Sequence, residues 1–256
     1  MNMKRILMIA CLLTPIACSG EQPPVAAQPA AQSASQPSAQ PAAGTGAEAS
    51  SNTTVKAGVA GVSAEAGVSA DLKAGTYREL KDAQPTEDAN RIEVVEVFLY
   101  SCPHCYEFDP QVNAWRKTLP DDVLFRHMPA TFGPNGEILA KAYYTAKALN
   151  VLDTMHAEMF DAIHKRGMQL DSPAKIKALF TAKGVDGKDF DDYFNSFEVD
   201  SKFRLASRMQ INYGITAVPA MVVNGKYRTS ARLAGGTNED ALRVVNQLID
   251  KERSSD

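Results

Sequence analysis

Ile92-Glu-Val-Val-Glu-Val-Phe-Leu-Tyr-Ser-Cys-Pro-His-Cys-Tyr106 changes periodicity in its middle. Up to Tyr100 it is apolar and β-branched apart from two glutamates, the pattern of a strand buried on both faces. From Pro103 onward the pattern is helical. Pro103 stands where a first helical residue should be. Cys105, Phe108, Val112, Trp115 and Leu119 form one apolar stripe at helical spacing. Pro110, inside this helix, is expected to kink it. Cys105 therefore belongs to a buried face, and Cys102 stands exposed at the helix N-terminus. Unpaired backbone N–H groups and the positive end of the helix dipole stabilise a thiolate there. His104 can add a charge or a hydrogen bond. Cys102 is thus expected to be a low-pKa thiolate and the sulfur that an incoming thiol attacks, with Cys105 as the buried resolving thiol.

The cysteine count supports chemistry over stapling. The 256 residues contain four cysteines, and only Cys102 and Cys105 lie in the part of the chain that can fold. A bond between them would close a loop too short to constrain the unfolded chain much. Zinc and a purely structural disulfide are the competing readings. Zinc needs two further ligands, and His156 and His164, eight residues apart, fall outside the usual ligand spacing. They are expected to line a helix surface. No metal and no cofactor is called for.

Upstream, the composition changes. All 19 aromatic residues lie at or after Tyr77, so a packed core is expected only from about residue 71. Lys4 and Arg5 precede an apolar run from Ile6 to Ala17, too short for a spanning helix, which needs about 20 residues. Residues 1–17 thus read as a signal peptide that also discards Cys11. Ala17-Cys18-Ser19-Gly20 resembles a bacterial lipoprotein signal, although Pro15 stands where Leu is usual. That resemblance implies a lipidated Cys18; an ordinary cleaved signal is the alternative. Residues 18–70, rich in Ala, Ser, Pro, Gln and Gly, read as a lipid-anchored disordered linker. With 45% hydrophobic residues and a net charge of −3, the chain is neither wholly disordered nor collagen-like nor polytopic, and nucleic acid is not an expected partner.

Phe98-Leu-Tyr-Ser-Cys-Pro-His-Cys-Tyr106, together with Gly214-Ile-Thr-Ala-Val-Pro-Ala-Met-Val-Val-Asn-Gly-Lys-Tyr227, closely resembles the DsbA family of bacterial periplasmic thiol oxidases. The resemblance covers residues 75–250. It implies an α/β architecture, a thioredoxin fold with an inserted α-helical domain: residues 71–133 and 214–256 form the thioredoxin-like part and 134–213 the insertion. The residues read the same way. A strand at 92–100, a helix at 103–118 and a strand at 123–128 make a βαβ unit. Helices are expected at 136–150, 153–167, 173–183, 188–197 and 199–213. Strand character returns at 220–223, Asn224-Gly225 turns the chain into 226–228, and Thr237 with Asp240 caps a terminal helix.

The family also implies site residues. A cis bond between Val218 and Pro219 would present backbone groups to an extended substrate chain, where an ordinary trans proline is the plain alternative. An acid at the place of Glu96 would lie beneath the resolving cysteine and aid its proton transfer, unless it merely faces solvent. Arg126 is left unassigned as a charge partner for Glu96. His127, His156 and His164 are taken as ordinary surface or partly buried histidines. The implied partners are reduced, unfolded exported proteins and a quinone-linked membrane oxidase of DsbB type. The protein is expected to be a monomer in the periplasm, tethered to a membrane by its lipid, with Ser19 favouring the outer membrane. A reductase or isomerase of the same fold and a tethered peptide-binding module are the alternative functions.

Overall fold

The structure is a computed structural model that describes residues 72–255. The signal peptide, Cys18 and the whole linker region, residues 18–70, lie outside the described residues. In chain order, the elements begin with β1 (Arg78–Glu79), β2 (Ile92–Phe98), α1 (Pro103–Trp115) and β3 (Val123–Pro129). Five helices follow: α2 (Gly136–Ala148), α3 (Leu152–His164), α4 (Pro173–Ala182), α5 (Gly187–Phe194) and α6 (Phe197–Asn212). The chain then returns to β4 (Ala220–Val223), β5 (Tyr227–Thr229), α7 (Ala231–Ala234) and α8 (Asn238–Arg253).

The strands form one sheet in the order β1-β5-β4-β2-β3. β2 runs parallel to β3, as a strand–helix–strand crossover requires, and antiparallel to β4. Every residue of β2 is buried, because helices cover both faces of the sheet. Strand alternation sorts its side chains. Ile92 and Val94 join Phe108, Val112 and Trp115 of α1 and Val244, Val245 and Leu248 of α8. Val95 and Val97 join Ala206 and Met209 of α6 on the other face. Phe98 and Tyr100 instead enter a third cluster built from α2 to α5, and Cys105 is part of it. The cysteine pair therefore sits where the sheet meets the helices inserted between β3 and β4.

Local signals act as their chemistry demands. The Ser172 hydroxyl caps α4 by accepting from the Lys175 N–H, and Thr237 with Asp240 closes a capping box on α8. Asn224 and Gly225 both have positive φ, as a type I′ turn requires, and Gly225 accepts a 2.8 Å bond from the Gln84 N–H. A Cβ at Gly225 would stand 2.1 Å from the Gln84 carbonyl oxygen, so only glycine fits.

Some boundaries differ from the sequence expectation. β2 ends at Phe98, because Leu99 already turns toward the cysteines and accepts from the Cys102 N–H. The first helix continues through Pro110 to Trp115 and tightens into a 3₁₀ turn at Arg116–Thr118. β1 and α7 were not anticipated. A two-residue strand and a four-residue helix are too short to show a period, and β1 exists through its pairing with β5.

Candidate active site

Cys102 is the residue immediately before α1, in an extended conformation, and its carbonyl accepts the 3.1 Å bond from Tyr106 N–H. Pro103 follows as the first helical residue, with φ already suited to a helix. Cys102 is half-buried, and its thiol donates to the Val218 carbonyl at 3.8 Å. The Val218–Pro219 bond is cis. Cys105, one turn further along, is 0% exposed, and its sulfur accepts from the Leu99 N–H at 3.5 Å. Both cysteines are free thiols, so the structure portrays the reduced pair.

The two thiols are pushed in opposite directions. Cys102 is lowered to about 6, chiefly by the Cys105 thiol, which donates to it; burial opposes this, and the backbone N–H groups of Cys105 and His104 assist. The charge of His104 is the smallest of these influences. The reason is placement: the His104 side chain is 80% exposed and faces Glu107 at 3.5 Å. Cys105 is pushed far above an ordinary thiol, first by burial, then by its bond to Cys102 and by the charges of Cys102 and Glu96.

Glu96 is 2% exposed, so it does not face solvent. Its partner is His127, whose Nδ1 lies 2.8 Å from Glu96 Oε2. The register explains the pairing: Glu96 lies beside His127 across β2 and β3, and Val95 beside Arg126. Arg126 consequently points to the other face. There it forks onto the fully buried Glu93 at 2.9 and 3.0 Å, with Glu87 at 3.7 Å. Arg126 is a partner for Glu93, not for Glu96.

His127 and His164 are partly buried, within the expectation for the histidines, whereas His156 is buried and so departs from it. His127 is paired with Glu96. His156 is buried and lies between Tyr100 Oη at 2.9 Å and Asp109 Oδ1 at 3.0 Å. His164 bonds the Tyr100 carbonyl oxygen at 2.8 Å and stacks on Tyr106, with ring centroids 4.8 Å apart. Two of them share a face of α3 with Phe160, at spacings of four, and this face is turned inward. That spacing was visible in the sequence; its direction was not. Among the described residues, no three His, Cys, Asp or Glu side chains are grouped to hold a metal ion.

Comparison with known proteins agrees with this geometry. The family model described as "DSBA-like thioredoxin domain" matches residues 124–245. A protein of Azotobacter vinelandii named "Thiol:disulfide interchange protein DsbA" is 43% identical over 196 residues, covering 76% of this chain and 91% of that protein. A Pseudomonas aeruginosa protein of the same name is 39% identical, covering 72% of this chain and 88% of its own length. Both spans are long enough to include residues 102 and 105. The crystal structure of Pseudomonas aeruginosa DsbA superposes with a TM-score of 0.68 at 38% identity, covering 71% of this chain and 94% of that one. The oxidoreductase DsbA from Xylella fastidiosa superposes with a TM-score of 0.65 at 36% identity, covering 70% and 96%. The sheet with its five inserted helices is thus a thioredoxin fold carrying a helical insertion.

Proposed function

The chain belongs to the DsbA-like thioredoxin family, and from that premise we propose that Cys102 and Cys105 carry the exchange by which it oxidises the thiols of other proteins. It is an enzyme, a thiol:disulfide oxidoreductase. One observation carries the residue assignment: a half-exposed thiol lowered to about 6 at a helix N-terminus, directly above a buried thiol pushed the other way.

In the oxidised enzyme the two sulfurs are bonded. A substrate thiolate attacks Cys102, the accessible sulfur, and the Cys102–Cys105 bond breaks with its electron pair on Cys105. Cys105 is poorly able to stay charged in its buried site and takes a proton. A second substrate thiolate then attacks the substrate sulfur of the mixed disulfide, and Cys102 leaves. The substrate loses two electrons and gains a disulfide. The enzyme ends with a Cys105 thiol and, at neutral pH, a Cys102 thiolate, releasing one of the two substrate protons. A thiol at about 6 is roughly nine-tenths ionised at pH 7. That makes Cys102 a good leaving group and stabilises the reduced enzyme, which favours the oxidising direction.

The remaining residues take supporting roles in this reading. Pro103 starts the helix at the correct residue, so that the N–H groups of His104 and Cys105 reach the Cys102 sulfur. Val218 and Pro219 bind substrate by presenting the Val218 carbonyl beside Cys102 to an extended chain, as a strand adds to an edge. Glu96, joined to His127, delivers the proton to Cys105. Substrates are reduced, unfolded exported proteins, and a quinone-linked membrane oxidase of DsbB type restores the disulfide. We further infer that the enzyme works as a monomer in the periplasm, held by a lipid on Cys18 to the outer membrane, and that residues 134–213 form a discrete insertion. Cys102→Ser is expected to abolish oxidation of a reduced, unfolded protein, and Cys105→Ala to accumulate mixed disulfides with it. Retained oxidation in the first variant removes the assignment.

A further inference from the structure

The proposed reaction uses Glu96 and His127, yet the buried polar cluster beneath the cysteines extends past them. His156 of α3 is its centre. From β2, Glu96 faces it, and from the turn after β2, Tyr100; from β3, His127, with ring centroids 4.6 Å apart; from α1, Asp109; from α2, Tyr143 at 6.2 Å. Asp109 lies on the helix that bears the cysteines, one turn beyond Cys105, and accepts a second bond from Asn113 at 2.8 Å.

The hydrogen-bond pattern selects one form of the ring. An ionised carboxylate only accepts, so Nε2 carries the hydrogen and donates to Asp109. Nδ1 is then an acceptor, and the Tyr100 hydroxyl donates to it. Tyr100 keeps its proton, since burial pushes its ionisation well above the ordinary value. A second proton on His156 would occupy Nδ1 and force the Tyr100 oxygen to accept. The hydroxyl hydrogen would then face a buried site in which no other acceptor bonds it among the described residues, which is costly. It would also put a cation against the His127 ring.

We propose that His156 is a positioning residue for the exchange: held as the neutral Nε2–H form between Tyr100 and Asp109, it sets the electrostatic surroundings of the Glu96–His127 pair beneath Cys105. Burial is the first cause that lowers the proton affinity of His156 itself, and His127 pushes the same way against the pull of Asp109. The ring thus stays neutral beside the Glu96–His127 pair. It also tempers the Asp109 charge by hydrogen bonding to it.

This rests on the thiol-exchange reading above, and the test separates the two. The reduction potential of the pair is measured against glutathione across pH. Reduction adds two electrons to the disulfide and one proton to Cys105, and a second proton to Cys102 at low pH. The Cys102 step is followed separately by thiolate absorbance; the remaining inflection reports the proton uptake of the buried cluster as a whole. His156→Phe keeps the ring packing but removes the donor to Asp109, leaving its charge less offset, so the inflection is expected to rise in pH. Asp109→Asn removes the charge but keeps an acceptor for Nε2–H, so the inflection is expected to fall. Each shift corresponds to roughly a threefold or larger change in proton affinity, about half a pH unit. A purely structural hydrogen bond would move the melting temperature and leave both inflections alone. Inflections that do not move, or that move together, overturn the proposal. If His156→Phe does not fold, Asp109→Asn decides: a fall supports the proposal, and no change or a rise overturns it. A Cys102–Cys105 pair with no measurable potential would overturn the exchange reading instead.

Discussion

Replacing Cys105 with alanine removes the largest influence on the Cys102 thiol. In the structure that influence is a hydrogen bond from the Cys105 S–H to the Cys102 sulfur. A hydrogen bond to a charged group is worth about 1.5–3 kcal/mol in a buried site. Cys102 is only half-buried, and solvent screening reduces this to roughly 1.5 kcal/mol, about one pKa step. The backbone N–H groups of Cys105 and His104 remain, so the thiol should not return to an ordinary value. The titration midpoint is expected to rise from about 6 to roughly 7 or a little above. At pH 6 the ionised share then drops from about one half to about one tenth, and alkylation by iodoacetamide slows about fivefold. The assay is the alkylation rate across pH, checked by ultraviolet absorbance of the thiolate. His104→Ala serves as the contrast. That ring is exposed and its charge is the weakest of the influences, so its removal should move the midpoint far less. A midpoint still at about 6 in Cys105→Ala, or a larger shift in His104→Ala, would refute the ranking of causes.

Three further outcomes follow from the same structure. The Cys102 pKa is depressed on folding, so its stabilisation of the reduced form is complete above the free-thiol value near 8.5 and is lost as pH falls through about 6. At pH 7 about 1 kcal/mol should remain after screening, and the melting advantage of reduced over oxidised protein should shrink toward pH 5. Arg126→Leu strips the fork from a Glu93 that is 0% exposed; urea unfolding should show a loss of about 3–5 kcal/mol, and a loss below 1 would mean Glu93 finds other relief. Thr237→Ala breaks the capping box of α8 and should cost about 1 kcal/mol by urea unfolding, with the redox titrations unchanged.

The local architecture was legible in the residues themselves. A β-branched run ending in Cys-Pro-His-Cys, with an apolar stripe after it, is enough to set a buried strand against a helix and to put one cysteine inside and one at the helix start. The serine and threonine caps and the Asn224-Gly225 turn were equally clear. Each of these depends on neighbours within a few positions, and the chain order records such neighbours directly. The burial of Glu96 was less clear, since an acid in a strand reads equally well as buried or exposed.

Other features depended on contacts between distant parts of the chain. The Val218 carbonyl reaches Cys102 across 116 positions, and His156 reaches Tyr100 across 56. A periodic pattern shows which residues share a face, but not which element that face meets. Thus β3 could be recognised as a strand while the register that gives His127 to Glu96 and turns Arg126 toward Glu93 could not. The sequence by itself determined the dithiol, its helix and the order of its elements, because these follow from backbone geometry and short-range periodicity. Only the tertiary structure decided which charges and ring nitrogens surround the buried sulfur, because burial brings those groups together from four separate elements and sets their protonation.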